Sequence, residues 1–171
     1  MSLTERDVLK ILDQAERAAA KTKSLLRVDG KGKSRTTRMH IVVVGRAGKV
    51  VGQRSMEDAW LGSVDIAKAK AFTSVAFSSH ENALTTRTIG ALTQPGGPLW
   101  NIGNSNRADG IIDFPGGLPL YKAGKLVGAI GVSGDGVDQD EVVAEAGAKG
   151  FEPPKAIRVD SVTKGQVPYT A

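Results

Sequence analysis

Two histidines, one arginine and two Pro-Gly-Gly turns carry most of the chemistry this chain offers. His40 stands in the apolar run Met39-His40-Ile41-Val42-Val43-Val44, and His80 precedes Glu81. An imidazole can ligate an iron such as that of haem, or move a proton near neutral pH, so both are candidates for either task. The chain has neither two histidines at metal-binding spacing, nor a Gly-x-Ser-x-Gly elbow, nor a P-loop lysine motif. Arg87, within Asn82-Ala83-Leu84-Thr85-Thr86-Arg87-Thr88, can clamp a carboxylate through two parallel hydrogen bonds or make an internal ion pair. Asp65 sits where it would cap a helix.

The backbone is the other resource. Gln94-Pro95-Gly96-Gly97-Pro98 and Phe114-Pro115-Gly116-Gly117 precede the glycine-rich stretch Leu126-Val127-Gly128-Ala129-Ile130-Gly131-Val132-Ser133-Gly134. Glycine lets another atom approach the main chain and proline fixes the entry angle, so these segments suit a rigid concave wall lined by peptide groups. The expected ligand-contacting set is therefore Arg87, Phe114, Gly116, Gly117, Gly96 and Gly97. A binding protein would use this wall for a flat or anionic small molecule. The alternative is a cofactor-independent isomerase, hydratase or lyase acting on a small carboxylate. There Arg87 would hold the substrate, the Gly116 and Gly117 N–H groups would stabilise an oxyanion, and His80, Glu81 or Asp65 would move the proton.

The elements that must position these residues follow from periodicity. Apolar residues at helical spacing predict a first helix from Thr4 to Lys23, with Thr4 and Asp7 as a capping box. Strands are expected at Met39–Val44 and Val50–Ser55, joined by a turn at Arg46–Lys49. Ser63 should cap a helix over Val64–Ser78, and a shorter helix is expected over Glu81–Gly90. Ile111–Phe114, Pro119–Lys122 and Lys125–Ser133 read as three more strands. Asp138 and Glu141 form a second expected capping box, for a helix ending near Gly150. The hairpin context of Gly131-Val132-Ser133-Gly134-Asp135-Gly136 excludes a Rossmann reading, which needs a βαβ unit. The pattern as a whole is α+β. Residues 1–150 are expected to form one domain, and residues 151–171, after Pro153-Pro154, an arm whose Ile157–Val162 alternates like an exposed strand and packs on a neighbour.

Composition sets outer bounds. With 171 residues and 40% hydrophobic content the chain suits one globular domain, and with no cysteine it has neither disulfides nor thiolate metal sites. The N-terminal stretch lacks the apolar core of a signal peptide, so a cytoplasmic address without membrane attachment is the expectation. The net charge is +5. Arg27, Lys31, Lys33, Arg35 and Arg38 concentrate much of it around Asp29-Gly30-Lys31-Gly32. No aromatic residues interleave them, so a solvated loop is expected rather than a nucleic-acid surface.

The ordered set Met56-Glu57-Asp58-Ala59-Trp60-Leu61-Gly62-Ser63-Val64-Asp65-Ile66-Ala67, Lys70-Ala71-Phe72-Thr73, Gln94-Pro95-Gly96-Gly97-Pro98-Leu99, Phe114-Pro115-Gly116-Gly117, Gly128-Ala129-Ile130-Gly131-Val132-Ser133-Gly134 and Gln139-Asp140-Glu141 resembles the GlcG/HbpS family of haem-binding or haem-degrading proteins. It is also similar to the C-terminal domain of some corrinoid adenosyltransferases. The resemblance spans roughly Leu3 to Gly150. It implies a five-stranded antiparallel sheet flanked by helices, assembly into dimers and often octamers, and haem or a related tetrapyrrole as ligand, with no other cofactor. His40 and His80 are then the haem-iron candidates.

Overall fold

Thr4 opens the first helix: its hydroxyl accepts the Asp7 N–H at 3.2 Å, while the Asp7 carboxylate accepts the Thr4 N–H at 2.9 Å. This reciprocal box starts α1 (Glu5–Ala19), whose Val8, Ile11, Leu12, Ala15 and Ala19 form one buried stripe. The computed structural model describes residues 1–104 and 110–171. Four strands, β3 (His40–Gly45), β4 (Val50–Ser55), β5 (Gly117–Lys122) and β6 (Lys125–Ser133), form an antiparallel sheet in the order β4-β3-β6-β5. Two short strands, β1 (Lys23–Val28) and β2 (Ser34–Thr36), pair only with each other.

Helices cover both faces of the larger sheet. α1 and α4 (Val137–Ala148) pack on one face, and α2 (Ser63–Ala76) packs on β3, β5 and β6 from the other. The alternation along β3 divides the core accordingly: Met39, Ile41 and Val43 join the α1 and α4 side, whereas Val42 and Val44 join Ala67, Ala71 and Val75 of α2. α3 (Thr86–Leu92) lies beside β5.

The expected α+β class is present, but the single five-stranded sheet is replaced by sheets of four and two strands. Ile111–Phe114 does not join a sheet, because its backbone is bonded to a helix side chain instead. The Ile112 N–H donates to Thr73 Oγ1 at 2.9 Å, and that hydroxyl donates to Gly110 O at 3.2 Å. The basic segment expected as a loop supplies β1 and β2. The third helix begins at Thr86 rather than Glu81, where Thr85 and Thr88 make a second reciprocal box. Ser63 is the first residue of α2 and not its cap; Gly62 precedes it without a side-chain cap bond. The expected box of Asp138 and Glu141 is also absent, since α4 starts from Gly136 and both carboxylates are bonded to Arg87.

The tail is helical where a strand was expected. Lys155–Ile157 forms a 3-10 turn and α5 (Val159–Val162) a single helical turn, with one parallel bridge between Ala83 and Arg158. It folds on its own chain: Tyr169 is buried, Thr85 Oγ1 donates to its carbonyl, and Thr88 Oγ1 donates to Pro168 O at 2.9 Å.

Candidate ligand-binding site

α2 lies so close to the sheet that its backbone faces glycines. A Cβ on Gly131 would collide with Ala67 O, and one on Gly117 would meet Lys70 O, Thr86 Cγ2 at 2.6 Å and Ser74 Oγ at 2.8 Å. The close seating turns Lys70 inward, between the end of β6 and the first turn of α4. Its ammonium donates to Asp140 Oδ2 at 2.7 Å and to Val132 O at 3.0 Å, and stands 5.0 Å from the centre of the Phe114 ring. Both charged side chains are buried. Burial lowers the Lys70 pKa and, against the pull of the ammonium, raises that of Asp140 to about 6. Gly116 makes room for this pair: at φ 120° a Cβ there would lie 2.8 Å from Lys70 Nζ and 2.6 Å from Val132 O.

The Phe114-Pro115-Gly116-Gly117 turn is thus occupied by the protein itself. The Gly117 N–H donates to Thr86 Oγ1 at 2.8 Å, and Gly116 O accepts from the Val132 N–H at 2.9 Å. Gly117 does not have positive φ; only Gly116 of the two does. Gly96 has φ 81° and is exposed, and the Gly97 N–H bonds back to Gln94 O at 2.7 Å in the turn that follows α3. Between these segments runs an open groove of about 320 Å³, lined by Arg87, Gly90, Ala91, Gln94, Asp113 and Pro115 together with Pro168.

Arg87 borders the groove with its guanidinium committed elsewhere. Nε donates to Glu141 Oε2 at 2.7 Å and Oε1 at 3.0 Å, and Nη2 to Asp138 Oδ1 at 2.6 Å. Glu141 is buried and also accepts the Ala171 N–H at 3.0 Å; burial raises its pKa. The proton-moving candidates are dispersed. Asp65 is exposed in the first turn of α2 and pairs with Lys68 at 3.3 Å, while His80 and Glu81 follow the far end of that helix. The helix alone separates them by about 15 Å at 1.5 Å per residue.

Neither histidine presents a free imidazole lone pair. His40 is buried, with Nδ1 2.7 Å from Ser55 Oγ and Nε2 2.9 Å from Trp60 O; since a carbonyl only accepts, Nε2 carries the proton. His80 Nδ1 accepts the Leu126 N–H at 3.0 Å, so the neutral ring carries its proton on Nε2 as well. Desolvation, with Arg46 and Lys125 nearby, lowers the His80 pKa. Among the described residues no group of three His, Asp or Glu side chains is placed to hold a metal ion.

A match to known proteins covers most of this framework: residues 3–149 fit the family described as haem degrading protein HbpS-like. The chain belongs to the HbpS-like family. It is 36% identical over 103 residues to a 15.0 kDa protein of the dhaT-dhaS intergenic region of Citrobacter freundii, covering 60% of this chain and 68% of that one. The corrinoid adenosyltransferase PduO of the same organism is 37% identical over 90 residues, which are 53% of this chain but only 25% of PduO. The chain therefore corresponds to about a quarter of that enzyme. The crystal structure of a PduOC:haem complex superposes with a TM-score of 0.72 at 22% identity, covering 100% of both chains, and shares the fold.

The basic segment holding Arg27, Arg35 and Arg38 was expected to be a solvated loop, and neither Asp140 nor Lys70 was given a role of its own. Lys70 opens the Lys70-Ala71-Phe72-Thr73 motif. Its spacing, three residues after Ala67 and four before Ser74, places it on the buried face of α2, and that was the available signal.

Proposed function

We propose that this HbpS-like protein binds haem or a related tetrapyrrole on an open surface or between subunits, and does so as a homo-oligomer in the cytoplasm. The observation that carries the reading is the family match over residues 3–149. The PduOC:haem complex, which shares the fold, adds support. The cavities favour an open site: one lined by α1 and β4 is about 500 Å³ and open to the surface. Exposed Leu25, Leu26 and Val28 on β1, with Leu61, favour assembly. No helix of the described residues is long and apolar enough to cross a membrane.

The histidines do not fit iron ligation as they stand, since the one lone pair of each neutral ring already accepts a hydrogen bond, from Ser55 Oγ in His40 and from the Leu126 N–H in His80. Bound haem would supply its own iron chemistry. What the chain contributes in this reading is a surface for the flat ring and its acidic edge.

Visible titration of the purified protein tests the proposal. A Soret band that shifts and saturates at a fixed stoichiometry is expected, with His80→Ala unchanged from the native protein. A spectrum that stays that of free haem at every ratio overturns it. Sedimentation equilibrium returning only a 17.9 kDa species would remove the oligomer from the reading.

A further inference from the structure

The β1 and β2 hairpin gathers three arginines around one cavity. Arg27, Arg35 and Arg38, with Thr36 and Asp58, line a space of about 320 Å³. Asp58 is the one carboxylate among them, and Arg27 uses it. Arg27 Nη1 lies 3.0 Å from Asp58 Oδ2, Nη2 donates to Asp58 O at 2.7 Å, and the guanidinium stands 4.9 Å from the Trp60 ring. These contacts immobilise Arg27, whose side chain is only 11% exposed.

The remaining positive charge lacks comparable partners. Arg27 Nε is buried and has no hydrogen-bond partner among the described residues. Among the described residues Arg38 reaches only Thr36 Oγ1 at 3.5 Å and Thr37 O at 3.4 Å, both long for a hydrogen bond. Arg35 makes no salt bridge among the described residues; Asp29, whose carboxylate feels its charge, is bonded to the Lys31 and Lys33 N–H groups. Three guanidiniums against one carboxylate leave two excess positive charges at one concave place. Guanidinium forks match the geometry of carboxylate and phosphate oxygens, and the volume suits one such group or a pair.

We propose that this cavity is an oxyanion-binding site that takes the carboxylate or phosphate group of a small organic molecule. Arg27, fixed by Asp58 and Trp60, provides the rigid wall, and Arg35 and Arg38 close on the anion. Where the ligand is a tetrapyrrole, which rests on the function proposed above, its propionate side chains are the carboxylates. The ring would then lie outside the cavity.

The test uses the full chain and the double variant Arg35→Gln/Arg38→Gln, which removes two guanidiniums that no described ion pair engages. Inorganic phosphate binding is followed by calorimetry, and haem and haem dimethyl ester binding by visible spectra. An affinity for phosphate that falls tenfold or more in the variant supports the site. Haem affinity that falls tenfold or more, with the dimethyl ester unaffected, supports it and identifies the anion as the tetrapyrrole's carboxylates. A variant that keeps the native melting profile and binds phosphate and haem as the native protein does overturns the proposal, as does a native protein that binds neither. Phosphate binding that depends on these arginines in a protein that ignores haem would leave the site standing and reject only the haem reading.

Discussion

Lys70 Nζ lies 2.7 Å from Asp140 Oδ2, joining two helices that pack on opposite faces of the sheet. The contact passes the end of β6, where Val132 O takes a second ammonium proton and Gly116 leaves the passage open. Two buried charges are stable here because each has hydrogen-bond partners: Asp140 Oδ1 also accepts the Asp135 N–H at 3.1 Å.

Removing one partner should be far worse than removing both charges. Lys70→Met leaves the Asp140 carboxylate buried without its cation, at an expected loss of about 3–5 kcal/mol. Lys70→Met/Asp140→Asn keeps an acceptor for Asp135 and should recover most of that loss. Urea unfolding of both variants checks this; a double variant no more stable than the single one contradicts it.

The same pair gives a pH dependence. Burial raises the Asp140 carboxyl to about 6, above its ordinary 3.8, so between these values the folded chain holds the proton more tightly than the unfolded chain. Stability from this group is full below about pH 4 and is lost as pH rises through about 6. Asp140→Asn does not titrate there. The native protein should therefore lose about 3 kcal/mol relative to Asp140→Asn between pH 4 and 7. Parallel stability curves across that range would count against the raised carboxyl.

Gly117 is held by packing and not by backbone conformation. Gly117→Ala places a methyl group against Lys70 O and the Thr86 side chain, and α2 must lift from β5 to admit it. The expected destabilisation is about 1–3 kcal/mol, the usual range for overpacking. Thermal unfolding measures it, and an unchanged midpoint would mean that the helix yields freely.

For Arg87 the ion pairs with Glu141 and Asp138 make stability the expected readout. Arg87→Lys keeps the charge but cannot reproduce the fork against both carboxylates, so folding should weaken by roughly 1.5–3 kcal/mol. Haem affinity of the folded fraction should stay within twofold. Loss of ligand binding at native stability would instead make this residue part of the binding surface.

What the sequence made legible was local. The capping box of Thr4 and Asp7, the stripe of α1 and the alternation of β3 each lie within a few neighbouring residues, and all three are present. Ile111–Phe114 has a strand-like pattern, but a strand needs a partner, and Thr73 took its backbone bond first. Close approach occurs at Gly116, Gly117 and Gly131, where Lys70 and the α2 backbone come against the chain, whereas Gly96 has open space beside it. Lys70 and Asp140 are 70 residues apart and meet only after both helices dock, so their pairing was not legible in either segment alone. The basic segment was read as solvated because no aromatic residues interleave its charges. The hairpin that brings Arg27, Arg35 and Arg38 to one cavity is a property of folding.

The enclosure of Lys70 makes its amine a clock. Acylating reagents need a free, exposed amine, and this one becomes available only when α2 lifts from the end of β6. The rate at which Lys70 is labelled, followed by mass spectrometry beside the exposed lysines of the same molecule, would time the parting of the two helical layers without any engineered probe.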